Sequence, residues 1–247
     1  MKKSTKFYLA STLVAAALVS QNANAGCGDI SYAQLQNAAN AALAGADTGG
    51  LGLNMWATFV NETGNVCAVV NTGTKGKLAG NSQWLGSRVI SAQKANTGNA
   101  FSLDGLAISS GALFAAVQPG GSLYGLQESN PVDAEAAYKG NSHNFGKAND
   151  PLVGNRVGGI NVFGGGLPLY KNGVKIGGIG VSGDTSCTDH AFVWKMRSLL
   201  AAAPSGSVAQ VEKLTLVPSG FDALGKHPSC IGSPITDTSG FLALLPL

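Results

Sequence analysis

Charge is scarce in this chain. Only 12% of its 247 residues are Asp, Glu, Lys or Arg, and the formal net charge is +3. Histidine occurs three times, at His143, His190 and His227, and methionine three times. The four cysteines, Cys27, Cys67, Cys187 and Cys230, include no C-x-x-C pair, and the histidines form no H-x-x-H pair. A zinc site of the usual spacing is therefore discounted. No apolar run beyond the N-terminal one approaches the length of a membrane span. Glycine, by contrast, is abundant, with 35 residues.

The small positive charge belongs to the N-terminus. Residues 1–25 read as a secretory signal: Lys2, Lys3 and Lys6 precede an apolar run from Tyr8 to Val19, and Ala23-Asn24-Ala25 is a small-x-small cleavage site. Cleavage after Ala25 leaves 222 residues with 13 basic and 13 acidic side chains. Such a neutral chain has no electrostatic footprint for nucleic acid or an anionic membrane. The expected location is periplasmic or secreted, with no membrane span in the mature chain. An even cysteine count in an exported chain argues for two disulfides. Three connectivities are possible. Cys27–Cys67 with Cys187–Cys230 is favoured, because each bond would tie a terminal segment to the core.

Ser31 and Gln34 form a capping-box pattern that opens a helix with Leu35, Ala38, Ala39 and Ala42 on one side. Asn54 to Val60 and Val66 to Asn71 read as a hairpin. Trp84 to Phe101 reads as a helix, and Leu106 to Val117 as a shorter one. Gly125 to Arg156 is a long polar segment, with a helical turn expected at Ala134 to Tyr138. Loops this long are often functional. Val157 to Phe163 is a candidate strand. Asn172-Gly173 lies between two apolar runs, Leu167–Tyr170 and Val174–Val181. That is the strongest short hairpin signal, because a type I′ turn needs positive φ at both positions. Tyr170 and Val174 are the expected cross-strand pair. Thr188 is the expected N-cap of a helix reaching Ala203, and Lys213 to Val217 a short strand. Strands arrive as hairpins, so the expected class is α+β, an antiparallel sheet covered by helices. The expected organisation is a domain over residues 26–203, a long inserted loop at 125–156 and a C-terminal tail over 204–247.

Several motifs mislead. Gly178 to Gly183 matches G-x-G-x-x-G, but the glycines lie within a strand and no acid follows about 20 residues on. Gly180 to Asp184 lacks the last glycine of G-x-S-x-G. Gly220 to His227 is one residue short of a P-loop, with His227 where Ser or Thr must hold magnesium.

One pattern is richer. Gly165, Gly166, Pro168, Gly173, Gly177, Gly180, Val181, Ser182 and Gly183, followed by Asp189, together with the Ala92-Gln93-Lys94-Ala95-Asn96-Thr97 segment and Phe101, resemble the GlcG/HbpS haem-binding family, related to PduO-type C-terminal domains. The resemblance covers Ile30 to about Leu200. It implies an exported protein that captures haem, or a similar flat macrocycle, against the glycine-rich hairpin, and a homo-oligomer. Lys94 and Arg88 would meet the propionates, and Thr97 would hydrogen-bond or weakly ligate. His190, near a helix N-terminus that disfavours imidazolium, is the candidate iron ligand. His143 in the long loop is a candidate distal ligand. Plain roles stay open for each: a packing or capping His190, a solvated His143 and Lys94, a helix-packing Thr97, and a structural His227. So do two other functions, a periplasmic oxidoreductase or haem-degrading enzyme and a structural module without a ligand.

Overall fold

The computed structural model describes residues 26–44, 50–73 and 78–231. The expected signal segment and the last sixteen residues lie outside these. The first helix, α1 (Tyr32–Ala44), begins as its capping box requires: Ser31 N–H donates to Gln34 Oε1 at 2.9 Å and Gln34 N–H to Ser31 Oγ at 3.3 Å. A hairpin follows, β1 (Trp56–Asn61) and β2 (Val66–Asn71). Helix α2 (Gly86–Ala100) leads to a short strand, β3 (Leu106–Ile108). Two short helices, α3 (Leu126–Ser129) and α4 (Ala134–Tyr138), lie in the long polar segment. Strands β4 (Gly166–Lys171) and β5 (Val174–Ser182) form the second hairpin, followed by α5 (Ser186–Leu199). Three short strands close the described chain: β6 (Ala209–Val211), β7 (Thr215–Val217) and β8 (Lys226–Pro228).

The central sheet is antiparallel in the order β2-β1-β5-β4. Its strands alternate in the usual way. Ala57, Phe59, Ile179 and Val181 pack into one core with α1 and α5. Trp56 and Val60 face the other way, into a core with Val89, Ala92 and Ala95 of α2. The class is α+β, as the sequence predicts.

The glycines of β5 have a definite purpose. A Cβ on Gly180 would sit 2.0 Å from the Ser91 carbonyl oxygen, and one on Gly178 2.3 Å from that of Ala95. Gly166 on β4 would meet the Lys94 carbonyl at 2.2 Å. Helix α2 lies with its backbone against this strip. The strip expected to receive a flat ligand is therefore already covered by a helix.

Both edge strands are partly covered. On β2, Val66 N–H donates to Asn155 O and Gly154 N–H to Val66 O, both at 2.9 Å. On β4, Tyr170 N–H donates to Ala202 O and Ser110 N–H to Gly166 O, again at 2.9 Å.

Four local expectations are corrected. The turn has φ of 53° at Asn172 and 80° at Gly173, as type I′ requires, but its two-residue loop pairs Lys171 with Val174 and Tyr170 with Lys175. Leu106 to Val117 is not a helix. Its start is held as β3 by a parallel pairing with β6, and two single 3₁₀ turns, Gly111–Leu113 and Ala115–Val117, follow. Val157 to Phe163 forms no strand, because Gly158 and Gly159 take φ of 63° and 74°, leaving an isolated bridge between Val132 and Gly158. Helix α5 starts earlier than expected, with Thr185 rather than Thr188 as N-cap.

The two disulfides are Cys27–Cys67 and Cys187–Cys230, the favoured pairing. No helix among the described residues is long and apolar enough to cross a membrane.

Candidate functional site

Three of the five candidate residues sit on α2, and all three are buried with partners. Lys94 Nζ donates to Asp189 Oδ2 at 2.7 Å, joining α2 to the first turns of α5. The other oxygen of Asp189 accepts the Asp184 N–H at 3.0 Å. Burial pushes the Asp189 carboxyl up to about 6, and the Lys94 ammonium opposes that rise. Thr97 Oγ1 donates to Gln93 O at 2.8 Å and accepts the Asn161 N–H at 3.0 Å, so its capacity is spent on the backbone.

Arg88 holds the long insertion. Its guanidinium forks onto Asp150, with Nε 2.9 Å from Oδ2 and Nη2 on Oδ1, and Nη1 donates to Ala137 O at 3.2 Å. It also lies over the Phe145 ring, 3.7 Å from the centroid. Asp150 in turn accepts the N–H groups of Gly146 at 2.7 Å and Leu152 at 2.8 Å. One arginine thereby fixes the loop that carries His143.

His190 is fully buried, and neither ring nitrogen has a hydrogen-bond partner among the described residues. Burial chiefly, then His227 and Arg197, hold its pKa down to about 3. The backbone of Glu212 opposes this weakly without reaching hydrogen-bond geometry. His227 is also buried, and burial depresses it to about 4. Its Nε2 accepts the Gly164 N–H at 3.1 Å, and its Nδ1 faces the Pro228 carbonyl at 2.9 Å. A ring nitrogen of His227 and the sulfurs of Cys187 and Cys230 lie within 4.8 Å of one another, but the sulfurs are bonded together and offer no thiolate to a metal.

His143, unlike the four buried candidates, lines an open cleft. The cleft has a volume of about 620 Å³ and lies between α1, the end of β2 and the insertion. Tyr32, Asn71, His143, Phe145 and Lys147 are among its walls. Asn141 Oδ1 engages His143 Nδ1 at 3.0 Å, and Nε2 has no partner among the described residues. Tyr32 donates to Gly146 O at 2.9 Å, and burial, then Asp150, push its phenol pKa upward. The structure does not bring His143 together with His190, Lys94 or Thr97. Sequence reasoning missed Tyr32, Phe145 and Lys147 as cleft residues. The signal available was the long polar segment itself, which holds Phe145 and Lys147.

A four-stranded antiparallel sheet between helices, with a cleft built by a loop pinned onto α2, defines the class. The family model described as haem degrading protein HbpS-like matches residues 30–197, and the chain belongs to this family. No curated protein matches the sequence. Among solved structures, the Klebsiella pneumoniae protein ORFY is 24% identical, with 70% of this chain and 92% of that chain covered and a TM-score of 0.46. A PduOC:heme complex is 20% identical, covering 70% of this chain and 94% of that chain at a TM-score of 0.47. A double mutant of HbpS from Streptomyces reticuli is 14% identical, covering 78% and 98%, at a TM-score of 0.42.

Proposed function

We propose that this exported protein binds haem in the cleft beside its insertion, with His143 as the iron ligand. One observation carries the reading. His143 lines the cleft with Nε2 open, while Arg88, Lys94, Thr97 and His190 are buried. Family membership supports the ligand class. The residues fit the iron and the polar edge of the group better than its apolar face, since Gln36, Asn37, Asn40, Asn71 and Gln83 also line the cleft. A cleft of about 620 Å³ falls in the range of cofactor sites. Leu78, Ala79 and Phe145 offer apolar contact, and Lys147 offers a cation for a propionate. Bound haem would supply an iron centre. The chain would supply the imidazole, the cation and partial exclusion of water. Lys94 and Arg88 are tied to Asp189 and Asp150, and in this reading they shape the protein rather than meet propionates.

Export after cleavage at Ala25 and residence in an oxidising compartment belong to the same proposal, supported by the two disulfides. So does a homo-oligomer, which would cover the exposed Trp84 and Leu85.

The test is hemin titration of the mature protein, following the Soret band. A saturable one-to-one shift that His143→Ala removes or displaces, and His190→Ala leaves in place, is expected. A band unchanged in His143→Ala would move the iron contact elsewhere. No saturable shift in the wild type would end the haem reading.

A further inference from the structure

The corner where α5 begins holds groups that the haem reading does not use. Cys187 is the second residue of α5 and is buried, while Cys230 follows β8 and is half-buried. The Cys187 N–H, one of the helix's first-turn donors, lies 3.2 Å from Cys230 Sγ, and Ser186 Oγ lies 3.6 Å from the same sulfur. Such donors have no partner within a helix, and the helix end carries partial positive charge. Both sulfurs also lie near the Pro228 carbonyl, but farther off, at 3.7 and 3.8 Å, and His227 Nδ1 already engages that oxygen at 2.9 Å. A ring nitrogen of His227 completes the cluster within 4.8 Å of both sulfurs. The other disulfide has a different setting. Cys67 lies within strand β2, with its sulfur 3.4 Å from the Asn65 carbonyl oxygen, and Cys27 Sγ meets the Asn65 side-chain amide only at 3.9 Å.

We infer that Cys187–Cys230 is an exchange-competent disulfide that accepts electrons from dithiols, with Cys230 the sulfur that carries the thiolate after reduction. The incoming thiolate attacks the half-buried Cys230 Sγ. The Cys187–Cys230 bond breaks, a mixed disulfide forms on Cys230, and the electron pair leaves on Cys187 Sγ, which takes a proton from solvent. The second thiolate of the dithiol then attacks its own sulfur in the mixed disulfide. Cys230 leaves as a thiolate facing the Cys187 N–H and Ser186 hydroxyl. The dithiol loses two electrons and becomes a cyclic disulfide, and the protein pair gains them. Stabilising the Cys230 thiolate favours its departure in the second step and the reduced state. This inference is independent of haem binding.

The experiment uses the mature chain with both disulfides formed. It is equilibrated in buffers of reduced and oxidised dithiothreitol, alkylated and mapped by mass spectrometry. Cys187 and Cys230 are expected to open in buffer about tenfold less reducing than Cys27–Cys67 requires, with circular dichroism unchanged at that point. Ser186→Ala is expected to narrow this gap and to shift the thiolate absorbance of the opened pair to higher pH. Simultaneous opening, earlier opening of Cys27–Cys67, or opening only with unfolding would overturn the inference.

Discussion

Lys94 Nζ and Asp189 Oδ2 meet at 2.7 Å, with both side chains almost wholly excluded from water. The pair joins the helix on one face of the sheet to the helix on the other. It passes beside Gly165, where a Cβ would lie 3.1 Å from Nζ.

Removing one partner is costly because the other charge stays buried. Lys94→Met is expected to destabilise the protein by about 3–5 kcal/mol in denaturant unfolding. Lys94→Met with Asp189→Leu is expected to cost less than Lys94→Met alone. A double variant as unstable as the sum of the singles would show that the pair is not coupled.

Acid is expected to weaken the fold through its histidines. His190 and His227 stand near 3 and 4 when folded, against an ordinary 6.5, so below pH 6.5 the unfolded chain takes up protons that the folded chain refuses. Stability is therefore complete above that pH and falls as the pH drops toward 4, by up to about 1.4 kcal/mol per pH unit for each histidine. Asp189 acts in reverse. Its folded value near 6 lies above the ordinary 3.8, so protonation between these values favours the folded chain. Two histidines outweigh one carboxyl, and a net loss remains. His190→Leu is expected to flatten the acid limb. It should cost little at pH 7, because it removes two unsatisfied nitrogens. An unchanged acid limb in this variant would remove His190 from the account.

On the proposed reading, Arg88 positions the loop that lines the cleft. Arg88→Lys keeps a charge but loses the bidentate fork onto Asp150 and the flat contact on Phe145. Hemin affinity is expected to fall about tenfold, a loss of about 1.4 kcal/mol. The Soret maximum of the saturated complex should stay in place, since His143 is intact. Unchanged affinity would separate the insertion from the site.

Gly180 should tolerate no side chain. Gly180→Ala drives a methyl group against the Ser91 carbonyl and is expected to cost about 1–3 kcal/mol in thermal or denaturant unfolding. Gly173→Ala has open space around it, so its cost should come from the positive φ alone.

Legibility in the sequence followed the range of each interaction. The capping box of Ser31 and Gln34 and the turn at Asn172-Gly173 are settled within a few residues, and both stand in the structure. The turn's partners were still misplaced by one position, because Lys171 rather than Tyr170 closes a two-residue loop. The pairing of β3 with β6 joins segments about a hundred residues apart, and nothing in Leu106–Ile108 announces it. The glycine-rich hairpin was read as a surface for a flat ligand, because nothing local shows that α2 of the same chain lies against it. The same limit governed the site. Lys94 and Arg88 read as cations awaiting a ligand because Asp189 and Asp150 lie 95 and 62 residues away. His143 was visible only as one histidine in a long polar segment, and its cleft depends on α1 and β2 folding beside it.

The partly occupied edges of the sheet bear on how copies of this chain can associate. Asn155 and Gly154 fill the outer donor and acceptor places of Val66 at the start of β2, and Ser110 and Ala202 engage Gly166 and Tyr170 on β4. Strand-to-strand growth, the route to domain-swapped ladders and cross-β fibres, is hindered where these partners sit. The inserted loop that builds a cleft thereby also guards the start of an edge strand against aggregation.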